Sequence, residues 1–167
     1  MDTDIPGIPQ AFTDMKPGTF FAFRLASFTT LALKVVPCDP IDPRFAAVFH
    51  HGDPKRELLP FLLRKVKAKV PDIGHVLPAQ LICNWASFEN LRAGVTNAEP
   101  GQIIVTAGQK LIGVRDTDDD RMMVDLETGE CLYEIKQMAS VFSAWKLSLG
   151  QGDGMQPLYE FKSQKND

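Results

Sequence analysis

Asp116, Asp118, Asp120 and Glu127 stand at positions one, three, five and twelve of a calcium loop. Oxygen ligands at that spacing can wrap a hard divalent cation. The sixth position needs glycine for the sharp turn, and here it is Arg121. The flanks alternate like strands rather than helices. The run, with Asp119 inside it, is therefore expected to be a solvated hairpin tip, and no metal or cofactor is assigned to the chain. The histidines are His50, His51 and His75. Neighbours on a strand point to opposite faces, so His50 and His51 are not expected to grip one metal. Asp39, Asp42 and Asp53 lie near the pair in sequence but nothing fixes their geometry. Cys38, Cys83 and Cys131 are odd in number and form no Cys-x-x-Cys. They read as reduced thiols of a cytoplasmic protein. A Cys–His nucleophile pair can be drawn from them, yet no family signature surrounds any of the three.

Charge is segregated along the chain. Lys55, Arg56, Arg64, Lys65, Lys67 and Lys69 face only Glu57, a local balance of +5. From Asp116 to Glu134 eight acids oppose Arg121, a balance of −7. Opposed patches steer charged partners, which makes Arg64, Lys65, Lys67, Lys69, Asp116, Asp118, Asp119 and Asp120 candidate partner-binding residues. The alternative is that the two runs face water or each other. Nucleic-acid binding through Lys65–Lys69 would want interleaved aromatics, and only Phe61 is near. A small-molecule-binding or hydrolytic enzyme using the His50/His51 region or the acidic loop is the rival from another class.

The elements that must position these residues follow from periodicity. Met122 and Val124 alternate with Arg121 and Asp125, and after Thr128-Gly129 the alternation resumes at Cys131, Tyr133 and Ile135. That predicts an antiparallel hairpin. Val141, Trp145, Leu147 and Leu149 predict one apolar face of a further strand, with Trp145 in the core. Ile103–Val105 and Leu111–Val114 predict a hairpin around Ala107-Gly108. Thr19–Ser27 is apolar on both faces, as in a central strand covered on two sides. Thr29–Val36 would be its hairpin partner and Phe45–His50 a third strand. Leu59, Leu62, Leu63, Val66 and Val70 fit a helical stripe starting near Pro60, although Lys65–Val70 alternates like a lysine-protected edge strand. Leu81, Ile82, Trp85, Phe88 and Leu91 predict a helix over Ala79–Arg92, against a competing strand over Gln80–Trp85.

At 167 residues, 44% hydrophobic and 23% charged, the chain is of ordinary globular composition with net charge −3. That balance disfavours a dedicated nucleic-acid binder. No apolar run has the length of a membrane span, and the acidic opening predicts no signal peptide. Residues 1–16 are expected to form an extended arm, 17–150 a single domain, and 151–167 a flexible tail with a possible last strand.

Pro17-Gly18-Thr19-Phe20-Phe21-Ala22-Phe23-Arg24-Leu25, followed by Leu31-Ala32-Leu33-Lys34-Val35-Val36 and Phe45–Phe49, resembles the start of a group of small β-rich bacterial toxin-immunity proteins. The resemblance covers about the first third of the chain and departs from the family at Ala26-Ser27-Phe28-Thr29, where a glycine-bearing turn is usual. It implies a non-catalytic inhibitor that occludes a protein partner, and it carries over no functional residue. The expected fold is α+β: mainly antiparallel sheet, as a roll or partly open barrel, with one or two helices between Pro60 and Arg92.

Overall fold

The computed structural model describes residues 7–25, 28–36, 45–51, 60–65, 73–89, 93–95, 98–116, 118–150 and 155–163. It overturns the α+β expectation. The described residues form seventeen strands and one short 3-10 turn, with no α-helix among them.

The first strands are β1 (Ile8–Ala11), β2 (Phe20–Leu25), β3 (Phe28–Lys34), β4 (Phe45–His51), β5 (Leu62–Lys65) and β6 (Ile73–Val76). After β7 (Ala79–Cys83) come the 3-10 turn Trp85–Ser87, β8 (Phe88–Glu89) and β9 (Ala93–Val95). The second half holds β10 (Ile103–Val105), β11 (Lys110–Arg115), β12 (Arg121–Asp125), β13 (Cys131–Leu132) and β14 (Ile135–Met138). β15 (Ser140–Phe142), β16 (Ala144–Leu149) and β17 (Gln156–Lys162) complete the order.

Ten strands lie in the order β1-β6-β2-β3-β4-β5-β11-β10-β15-β8, with β12 and β13 joined through β11. A three-stranded sheet, β17-β16-β7, and the pair β14-β9 stand apart from it. The large sheet is mixed because β5 meets β11 in parallel at Leu62↔Arg115. Two strand paths pass from the large sheet to the small one through a bend. β6 runs into β7 across Leu77-Pro78, and β15 runs into β16 across Ser143. Strands that switch sheets in this way make the corners of orthogonally packed β structures.

Where one or two helices were expected, β-pairing wins. β5 spans Leu62–Lys65 and pairs antiparallel with β4, while the other positions of that stripe lie outside the described residues. Phe61, just before it, has φ 60, a value that interrupts any helix starting at Pro60. Over Ala79–Cys83 the competing strand is the better description, because β7 pairs with β16 along its whole length, and it ends before the 3-10 turn that carries Trp85.

The main core joins the two halves of the large sheet and the three-stranded sheet. Leu31, Leu33, Ala47 and Phe49 meet Ile103, Ile112, Val114, Met122 and Val124, and Trp145 and Leu147 close it. The opposite face of β2–β4 is covered by the N-terminal segment: Phe12 and Met15 pack on Phe21, Phe23, Ala32, Ala46 and Val48. β2 is thus buried on two sides, as its sequence implied. The hairpins β2–β3, β10–β11 and β12–β13 form in the expected antiparallel sense. Gly101 has φ +89, and a Cβ there would sit 2.5 Å from the Phe161 ring, so only glycine fits where that backbone crosses the core.

Candidate functional site

Most of the large apolar side chains are inside, but Trp85 is 78% exposed. It stands on a turn that is unusually well tied. Asn84 caps the turn by accepting the Ala86 amide at its Oδ1 (3.0 Å). The Ser87 hydroxyl donates to the Asn84 carbonyl (2.7 Å) and accepts the Ala144 amide (3.0 Å). The backbone adds Asn84 N–H to the Ala144 carbonyl (2.9 Å) and Ser143 N–H to the Ser87 carbonyl (3.3 Å). Ser143 Oγ donates to Glu89 Oε1 at 2.9 Å. These bonds knit the turn to the corner where β15 becomes β16. The Trp85 ring meets the edge of buried Phe142 at 5.3 Å and lies 6.4 Å from Phe88, itself partly exposed. β8, which carries Phe88, ends the large sheet and is only two residues long.

Beside this corner lies a trough of about 390 Å³ on the three-stranded sheet. Three successive rungs cross it. Cys83, Trp145 and Phe161 form the middle rung and turn toward the core. By the alternation of strands, the rungs Ile82–Lys146–Glu160 and Asn84–Ala144–Lys162 turn outward. Ala144 at the centre is small, which makes the hollow. Lys146 and Lys162 are exposed at its border, and neither has an ion-pair partner among the described residues.

Cys83 is half-buried, and burial pushes its thiol up while Lys110 pulls weakly the other way. A thiol held protonated is a poor nucleophile. His50 and His51 lie in β4 and His75 in β6 of the large sheet, whereas Cys83 belongs to the three-stranded one. His75 lies in β6, with β2 and β3 between it and the strand of His50 and His51, a spacing of about 14 Å at ~4.8 Å per strand. His75 is half-buried between Pro9 and Ala22 in register, its Nδ1 without a hydrogen-bond partner among the described residues. Cys131 sits in β13, packed against the main core. Cys38, Asp39, Asp42 and Asp53 lie outside the described residues.

The charged candidates come together in part. Arg64 and Lys65 occupy β5, with Arg64 opposite Ala46, while Lys67 and Lys69 lie outside the described residues. The parallel bridge Leu62↔Arg115 sets the strand of Arg64 and Lys65 beside the strand that leads into the acidic tip. Asp116, Asp118, Asp119 and Asp120 form the tip joining β11 to β12. Asp116 Oδ1 accepts the amides of Asp118 (2.9 Å) and Asp120 (3.0 Å). Asp119, at φ 66, meets Arg115 Nη1 at 3.1 Å. The lead carboxylate is thus engaged by its own backbone, as in an Asx turn. We expect millimolar Ca²⁺ to leave the melting temperature unchanged. A bound ion at a hundred times its Kd would add about 2.7 kcal/mol. A clear rise that Asp118→Ala abolishes would show that the tip binds metal after all.

Trp85 and the trough were not legible in the sequence, where a tryptophan at helical spacing reads as core. No protein-family model, curated protein or solved structure matches the chain.

Proposed function

We propose that this chain is a non-catalytic protein-binding module that works by occluding a partner, and that the Trp85 corner is its docking point. One observation carries the reading: a large aromatic ring exposed to water on a turn held by backbone and side-chain hydrogen bonds. Exposing an indole is costly in the free protein and is recovered when a partner covers it. Rigid, pre-placed aromatics are the residues that dominate protein interfaces, because little entropy is lost on binding. The resemblance of the first strands to immunity proteins supports the occluding mode.

The test is a photo-crosslinking amino acid at position 85, with exposed Lys136 on β14 as the control position. Position 85 is expected to yield a discrete protein adduct in cells and position 136 none. Equal labelling from both positions, or none from 85, would remove this corner as the docking point.

A further inference from the structure

We infer that the segment this corner receives is acidic as well as apolar, its carboxylates reaching the trough between Lys146 and Lys162 while an apolar side chain covers Trp85. The inference rests on the docking role proposed above. Asn84 belongs to both features: its side chain caps the turn that presents Trp85, and it lines the trough. An occupant of one is therefore placed against the other.

The charge on this face is specific. Its outward rungs carry two lysines and one glutamate, a local excess of one positive charge on a chain whose net charge is −3. Neither ammonium group has an ion-pair partner among the described residues, so an arriving carboxylate has no rival to displace there. Ala144 leaves room between them, and half-buried Ile82 gives the hollow an apolar wall. A volume near 390 Å³ is at the small end of ligand sites and suits a few side chains. A nucleic-acid strand fits less well. Two cations release few counterions, and no row of stacked aromatics accompanies them among the described residues.

The probe is a short labelled peptide of glutamates around a Phe-Leu pair, followed by fluorescence anisotropy on the full chain. We expect it to bind, and to bind about tenfold more weakly to Lys146→Gln/Lys162→Gln, because two rim charges act together. The same loss is expected when glutamine replaces glutamate in the peptide, and at about 0.5 M salt, where exposed charges are screened. Trp85→Ala should weaken binding by about thirtyfold, as loss of an aromatic hot spot does. All the exchanged residues are exposed, and circular dichroism checks that each variant folds.

Equal binding of the glutamate and glutamine peptides, or no binding of either, would overturn the acidic partner. Tighter binding of oligothymidylate than of the peptide, lost with the two lysines, would overturn it in favour of nucleic acid. Crosslinking from position 85 that survives the lysine exchanges would leave the docking corner standing and sink the acidic segment alone. Lysine-dependent peptide binding with no adduct from 85 would do the reverse.

Discussion

Trp145→Ala is expected to cost about 3–5 kcal/mol, a large share of the ~5–15 kcal/mol that holds a domain together. Trp145 is 2% exposed and sits at the junction of the two main sheets. Its ring meets Phe49 (6.1 Å), Phe61 (6.0 Å), Tyr159 (5.6 Å) and Phe161 (5.7 Å). The indole N–H donates to the Gly101 carbonyl at 2.6 Å. Truncation therefore opens a cavity lined by rigid rings and leaves a buried acceptor unpaired. Trp145→Phe separates the two effects: it keeps most of the volume and loses the hydrogen bond, so a smaller loss of about 1–3 kcal/mol is expected. Urea unfolding followed by circular dichroism measures both. An unchanged midpoint for the alanine variant would mean that the ring does not join the sheets.

The strands were legible in the sequence wherever they pair with a near neighbour. β2–β3, β10–β11 and β12–β13 each show an apolar or alternating run on both sides of a nearby turn, and each forms. The failures come where pairing is long-range. Along β7, Ala79, Leu81 and Cys83 pack against the main core at period two. Ile82, between them, is apolar as well but lines the outward trough, and it completes a false helical stripe with Trp85 and Phe88. What decides the matter is β16, which pairs with β7 from more than sixty residues further along the chain. Local periodicity cannot register such a partner, and a short apolar run is ambiguous without it.

The C-terminal strand failed more subtly. One continuous face from Val141 to Leu149 was expected. The chain instead bends at Ser143, so that Val141 packs in a second cluster with Ile104 and Leu111 while Phe142, Trp145 and Leu147 join the main core. Tyr133 is also exposed, because a bend separates β13 from β14 and breaks the face shared with Ile135. The candidate site depends on that same bend at Ser143. Ser87 and Ser143 fasten the Trp85 turn to it, and nothing in their sequence neighbourhood gives the hydrogen bonds they make. Charge segregation was legible, but it pointed to the β5–β11 region rather than to the trough. The trough's lysines are contributed by β16 and β17 and are brought together only by their register.

Lys34→Met is expected to stabilise the protein at neutral pH by about 1–3 kcal/mol, the scale of an uncompensated buried polar or charged group. Lys34 is 4% exposed, and its Nζ has no hydrogen-bond partner among the described residues. β3 alternates, so with Leu33 and Val35 in the main core Lys34 falls on the other face, opposite Ala46. The backbone there is pinned: its amide donates to the Thr19 carbonyl (2.9 Å) and its carbonyl accepts the Gly18 amide (2.8 Å). The side chain therefore cannot leave without disrupting the strand. Burial lowers the ammonium's pKa below its ordinary 10.5. The unfolded chain then holds the proton more tightly than the folded one. Lys34 accordingly costs most at pH values below its depressed folded pKa. Stability rises as pH climbs from there to 10.5, where the unfolded side chain also loses its proton. Tyr159 works in the opposite sense, because burial raises its phenol above 10.0 and stability falls as pH passes that value. Comparing variant with parent cancels the Tyr159 contribution. The stability gain of Lys34→Met should be largest near neutral pH and shrink toward pH 10.5. A variant less stable than the parent at neutral pH, or a gain independent of pH, would show that the ammonium is compensated in the folded protein.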